Sequence, residues 1–167
     1  MPKLAEALVE RKALQERLTR LHGRLAANAK TQEGETPDEP PAGLLDEARQ
    51  VLQQVKRITI DINVTNTRTL LSKDSTEDSA GTPSTSLMEA IAERDRLAGE
   101  RKLLEQLSNA AHVGPHPAYG ATRNEIKWRP TVDVAAIQKE IDAVSESYRR
   151  LDTRIQEANW LTDLIQN

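Results

Sequence analysis

VAAIQKEIDAVSESYRRLDTRIQEA, residues 134–158, sets Val134, Ile137, Ile141, Val144, Tyr148, Leu151, Ile155 and Ala158 at alternating spacings of three and four. A period near 3.5 marks a helix built to lie along other helices in coiled-coil fashion. The pattern returns upstream. Leu4, Ala7, Leu14, Leu18, Leu21 and Leu25 form one seam, widened by Leu8. Leu44, Ala48, Val51, Val55, Ile58 and Ile62 form another, continued by polar Thr65 and Thr69. A less regular third contains Leu87, Ile91, Leu97, Leu104, Leu107 and Ala111, with Arg94 and Arg101 close to it. The reading is an all-α fold, an antiparallel four-helix, coiled-coil-like bundle in a single domain spanning 1–167. It places helices at about 2–28, 44–70, 86–112 and 133–165, with loops at 29–43, 71–85 and 113–132.

Breakers and caps set these bounds. Pro2 is tolerated in a first turn. Residues 31–43 are acidic, proline-rich and aperiodic, hence a connector. Ile58 to Thr65 alternates and is β-branched, as a strand would be. The unbroken 3-4 spacing from Leu44, with no Gly or Pro between, decides for helix. Ser86 with Glu89 three residues on matches a capping box. Asn124 to Thr131 reads as a short extended segment before the last helix. There Pro130 turns Arg129 away from helix, and Thr131 or Asp133 serves as cap. Two polar residues stand in the first seam, Arg11 and Asn28. Each either fixes register or is satisfied near a helix end by water or a snorkelling stem.

Composition excludes several activities. Hydrophobic residues are 37% and charged residues 29%, typical of amphipathic helices with solvated outer faces. The aromatic side chains are Tyr119, Trp128, Tyr148 and Trp160, so the core must be aliphatic. Narrow aliphatic seams bury little area per residue, and assembly would remedy that. No cysteine is present, which removes disulfides, thiolate catalysis and cysteine-ligated metals. No secretion signal and no membrane-length apolar run is seen, so a cytoplasmic protein with no membrane partner is expected. Residues 1–30 hold seven basic against three acidic side chains and 133–167 four against seven. The basic first helix could be a nucleic-acid stripe, or the complement of the acidic last one. With a net charge of −3 and few aromatics, nucleic-acid binding is not expected.

Catalytic signatures are missing. His112 and His116 are four apart, but Gly114 and Pro115 between them break the helical spacing a metal pair would need. His22, beside the first seam, reads as a packing residue. No Glu-x-x-His pair, phosphate loop or nucleophile elbow is present. No catalytic, cofactor or metal residue is therefore assigned. Asn63 and Asn66, beside Thr65 and Thr67, are the most polar patch near a seam and the candidate ligand patch. Trp128 and Trp160 are candidates for core or interface. A last helix of about 33 residues outruns a first of about 27, so an end carrying Trp160, Leu161, Leu164 and Ile165 should overhang. That overhang is the candidate contact of a homo-oligomer, a dimer or a multiple of dimers.

Several phrases also resemble a family of bacterial proteins often labelled septicolysin-like. They are Lys3 to Leu8, Asn28-Ala29-Lys30 leading to Gln32 to Glu35, Ile62 to Asn66, Ala92 to Leu97, Glu125-Ile126-Lys127, Val132-Asp133-Val134, and Leu151 to Gln156 with Asn159-Trp160. The label implies a haemolysin and carries over no catalytic residue. The leading expectation is a non-enzymatic, self-associating helical bundle with a structural or protein-interaction role. The alternatives are a membrane-active pore former and a small-ligand or metal-binding bundle.

Overall fold

A computed structural model describes residues 1–71, 85–112 and 129–166. It contains α1 (Leu4–Ala27), α2 (Pro41–Arg68), α3 (Leu87–Ala111) and α4 (Val134–Leu161). The fold class is all-α, with no strand among the described residues and two isolated bridges, Lys3 to Asp163 and Leu70 to Ser86. The β-branched run Ile58 to Thr65 is helical. Ile58, Ile62 and Thr65 all point into the core, and burial of one face outweighs the weak strand preference. The loop at 72–84 and most of the extended segment at 124–131, with Trp128 and His116, lie outside the described residues.

Two helix ends depart from the sequence reading. α2 begins at Pro41, three residues before Leu44, because a proline in the first turn needs no N–H partner. α4 ends at Leu161 instead of 165. Its last helical bond runs from Thr162 N–H to the Ala158 carbonyl. Beyond it, Leu164 N–H donates to the Pro2 carbonyl and Ile165 N–H to Thr65 Oγ1. Tertiary acceptors replace the helical ones there. At the other end of α4, Asp133 Oδ1 accepts from Ala136 N–H at 3.0 Å, so Asp133 is the cap. Ser86 stands directly before Leu87, as the capping reading requires.

The chain divides into two compact units, residues 1–88 with 156–167, and residues 89–155. The first is built on an antiparallel α1/α2 hairpin. Arg17 reaches Glu47 and Arg24 reaches Glu39, so partners recede along the second segment as α1 advances. Between them Leu21, Leu44, Ala48 and Val51 are buried, flanked by Leu14, Leu18, Leu25 and Val55. Asn28 locks the connector: its amide donates to the Arg24 carbonyl and its Oδ1 accepts from Glu39 N–H. That is a satisfied residue at a helix end. The opposite end of the unit is closed by both chain ends, through Leu4 N–H to the Thr162 carbonyl at 3.0 Å and Leu164 N–H to the Pro2 carbonyl at 2.8 Å.

The second unit pairs α3 with α4, also antiparallel. Arg94 Nη1 lies 3.4 Å from Asp152 Oδ1, while Arg101 sits 5.5 Å above the Tyr148 ring. Ile137, Ile141 and Leu97 are buried, and Val144, Tyr148 and Leu151 are partly so. The seam read from residues 134–158 is the face α4 turns inward.

Candidate functional site

The predicted patch of Asn63 and Asn66 is split by the helix. Residues three apart on α2 differ enough in direction that Asn63 is exposed while Asn66 is half-buried. Thr67 Oγ1 bonds back to the Asn63 carbonyl at 2.8 Å, a local bond that helical hydroxyls commonly make. Asn66 Oδ1 is buried and has no hydrogen-bond partner. The buried polar residues among those described are Asp61, Thr65 and Asn159, of which only Thr65 belongs to the patch read from the sequence. Thr65 Oγ1 donates to the Asp61 carbonyl at 2.7 Å and accepts from Ile165 N–H at 2.9 Å. Thr65 thereby holds the chain end against α2, which is a structural task. Thr65 was legible in the sequence both as a continuation of the α2 seam and as part of the polar patch.

The four residues assigned to an oligomer contact also divide. Leu164 is 3% exposed, packed within its own chain, and Ile165 is half-buried. Neither overhangs, because the helix ends at Leu161 and the chain folds back. Trp160 and Leu161 are 61% and 69% exposed. Leu70 and Met88 are exposed at the same end of the unit, where Leu70 pairs with Ser86 and Thr67 Oγ1 lies 3.7 Å from the Met88 sulfur. Four large apolar side chains of this unit, Leu70, Met88, Trp160 and Leu161, are therefore left exposed.

Lys3 pins this end. Its Nζ lies 2.8 Å from Asp163 Oδ1 and donates to the Leu161 carbonyl at 3.0 Å. The hydrogen bond and then the charge of Lys3 hold the Asp163 carboxyl below its ordinary range, and the hydrogen bond from Arg24 does the same for Glu39. A carboxyl lowered in the folded state binds protons less readily than in the unfolded chain. The stability it contributes is present above the ordinary carboxylate value, about pH 4, and is lost as pH falls through the folded-state values. Melting temperature should therefore drop as pH is lowered below about 4. The drop should be shallower in Lys3→Met, measured by circular dichroism at fixed salt.

Arg94 and Arg101 lie on the inner face of α3, not beside it. Both fall in register with Leu87 at intervals of seven, the signal that marks them as seam residues. Asp95 and Asp152 hold Arg94, while Tyr148 carries Arg101. Arg101 Nε is buried without a hydrogen bond, its nearest acid Glu105 at 3.4 Å. His112 is exposed at the end of α3. Among the described residues no cluster of three or more His, Asp or Glu side chains could hold a metal ion. A groove of about 460 Å³ runs along α2 past Gln53, Gln54, Lys56, Arg57, Ile60 and Asp61. Its lining is about evenly polar and apolar, with Ile60 its one apolar residue.

A search of curated proteins gave no match. A solved structure described as a functionally unknown conserved protein from Corynebacterium diphtheriae is 33% identical with a TM-score of 0.83, covering 98% of this chain and 99% of that one. Neither that structure nor the matching family carries the septicolysin-like label. Residues 11–164 match the profile of DUF6847, described as a family of unknown function, and the chain belongs to that family.

Proposed function

We propose that the protein is a non-enzymatic, self-associating helical module with a structural or protein-interaction role, working in the cytoplasm. The observation that carries this reading is the exposed pair Trp160 and Leu161, with Leu70 and Met88 exposed in the same unit. Tryptophan in water on a folded surface is costly, and it is a preferred anchor where proteins meet. A second copy is the simplest cover, since an isologous contact needs no other component. The buried polar residues serve packing, and the arginines and carboxylates are largely occupied with one another. A haemolysin-like action, implied by the septicolysin-like resemblance, finds no support in the helices. None among the described residues is long and apolar enough to cross a membrane.

Light scattering coupled to gel filtration tests the reading. The expected mass is a multiple of 18.6 kDa, preferably an even one. Trp160→Ala with Leu161→Ser should weaken assembly by tenfold or more in dissociation constant, about 1.4 kcal/mol or more. A single-chain mass at micromolar concentration would overturn the proposal.

A further inference from the structure

α3 is the least one-sided of the four helices. Its inner face carries Leu87, Arg94, Leu97, Arg101 and Leu104. Nearly opposite lies a second line, Ala92, Gly99, Leu103 and Ala110, all exposed or nearly so, with Leu107 at its edge. Leu103 is 69% exposed and Leu107 43%. Gly99 stands in the middle of the helix, and a Cβ there would meet nothing within 4 Å. An interior helical glycine costs about 1 kcal/mol relative to alanine, and no neighbour among the described residues needs the space. Gly23 in α1 is equally open but has no exposed leucine along its face. A small residue four positions before one exposed leucine and eight before another is a notch beside a knob.

We infer that the outer face of α3 packs against the same face of a second copy, antiparallel and centred on Leu103. The inference rests on the self-association proposed above and adds a second contact to it. In an antiparallel two-fold pair, a residue n positions after the centre lies level with the residue n positions before it on the partner. Leu107 is then level with the partner's Gly99. It enters the hole framed by the partner's Arg96, Gly99, Glu100 and Leu103, the i, i+3, i+4, i+7 set that receives a knob. Missing side-chain bulk at Gly99 is what deepens that hole. Charge permits the contact as well. Arg96 donates to Glu93 and Glu100 at 2.8 Å each, so the cation beside Gly99 and Leu103 already has its counter-ions. A heterologous partner would not require the notch and knobs to be spaced evenly about one residue.

The absence of cysteine from the chain makes the test direct. Full-length Leu103→Cys, Gly99→Cys and Leu107→Cys proteins are oxidised mildly at micromolar concentration. Leu103→Cys thiols face one another and should couple about a hundredfold faster than Gly99→Cys thiols, given millimolar effective concentration in the pair. Two Gly99→Cys positions would lie about 12 Å apart along the helices, eight residues at 1.5 Å each, beyond disulfide reach. A mixture of Gly99→Cys with Leu107→Cys should couple where Gly99→Cys alone does not. If light scattering shows an oligomer but Leu103→Cys couples no faster than Gly99→Cys, the α3 contact is wrong and self-association stands. A single-chain mass removes both.

Discussion

Ile62→Asp should unfold the protein or lower its melting temperature by more than about 10 °C. Ile62 is 1% exposed on the inward face of α2, between Ile58 and Thr65. A carboxylate there loses its hydration, and isoleucine leaves behind a cavity that aspartate does not fill. Together these exceed about 4 kcal/mol, the range reached by few single substitutions. Ile58 and Thr65, the buried residues one turn away on the same face, carry no charge that could pair with it. Thermal melts followed at 222 nm decide it. Ile60→Asp, on the outer face of the same helix where Ile60 is 43% exposed, should shift the midpoint by no more than a few degrees. If the two variants melt alike, the inward direction of this β-branched segment has been misjudged.

The second large effect concerns the chain end. Leu164→Ala should cost about 2–5 kcal/mol, the range for emptying a buried leucine site, although it lies three residues past the last helical residue. Leu164 is closed in from its own chain, with its N–H on the Pro2 carbonyl and the next N–H on Thr65 Oγ1. Leu161→Ala, three residues earlier and exposed, should leave the midpoint of the dissociated chain within about 0.5 kcal/mol of wild type. Chemical denaturation at low protein concentration separates the two substitutions from any effect on assembly. Equal losses would mean that the segment after α4 is held no more tightly than the helix end before it. Loss of Leu164 should also loosen Lys3 and Asp163, visible as faster amide exchange at Leu4 and Ile165.

These two sites show where sequence reasoning holds and where it stops. The periodicity from Val134 to Ala158 placed a helix and its inward face correctly, because every third or fourth side chain on a helix shares one side whatever it packs against. The same rule carried Leu44 to Ile62 through a segment of strand-like composition. It failed at the end of α4. Trp160, Leu161, Leu164 and Ile165 look alike as apolar residues after a seam, yet the backbone leaves the helix between them and two are turned inward. What ended the helix was a set of acceptors, the Pro2 carbonyl and Thr65 Oγ1, separated from it by most of the chain. Nothing local announces an acceptor brought in from so far away.

Polar residues follow the same division. Asn63 and Asn66 were legible as an unusual patch, but their opposite exposures depend on which face of α2 meets the rest of its unit. Arg94 and Arg101 had the spacing of seam residues. The placement of Asp152 and the Tyr148 ring shows how they are accommodated. By itself the sequence determined the helices, their inward faces and the absence of cysteine chemistry, since each depends on residue type and local spacing. Tertiary structure alone decided where α4 stops, which apolar residues stay in water and which polar groups are buried. Those outcomes depend on partners distant in the chain, whose positions no local pattern encodes.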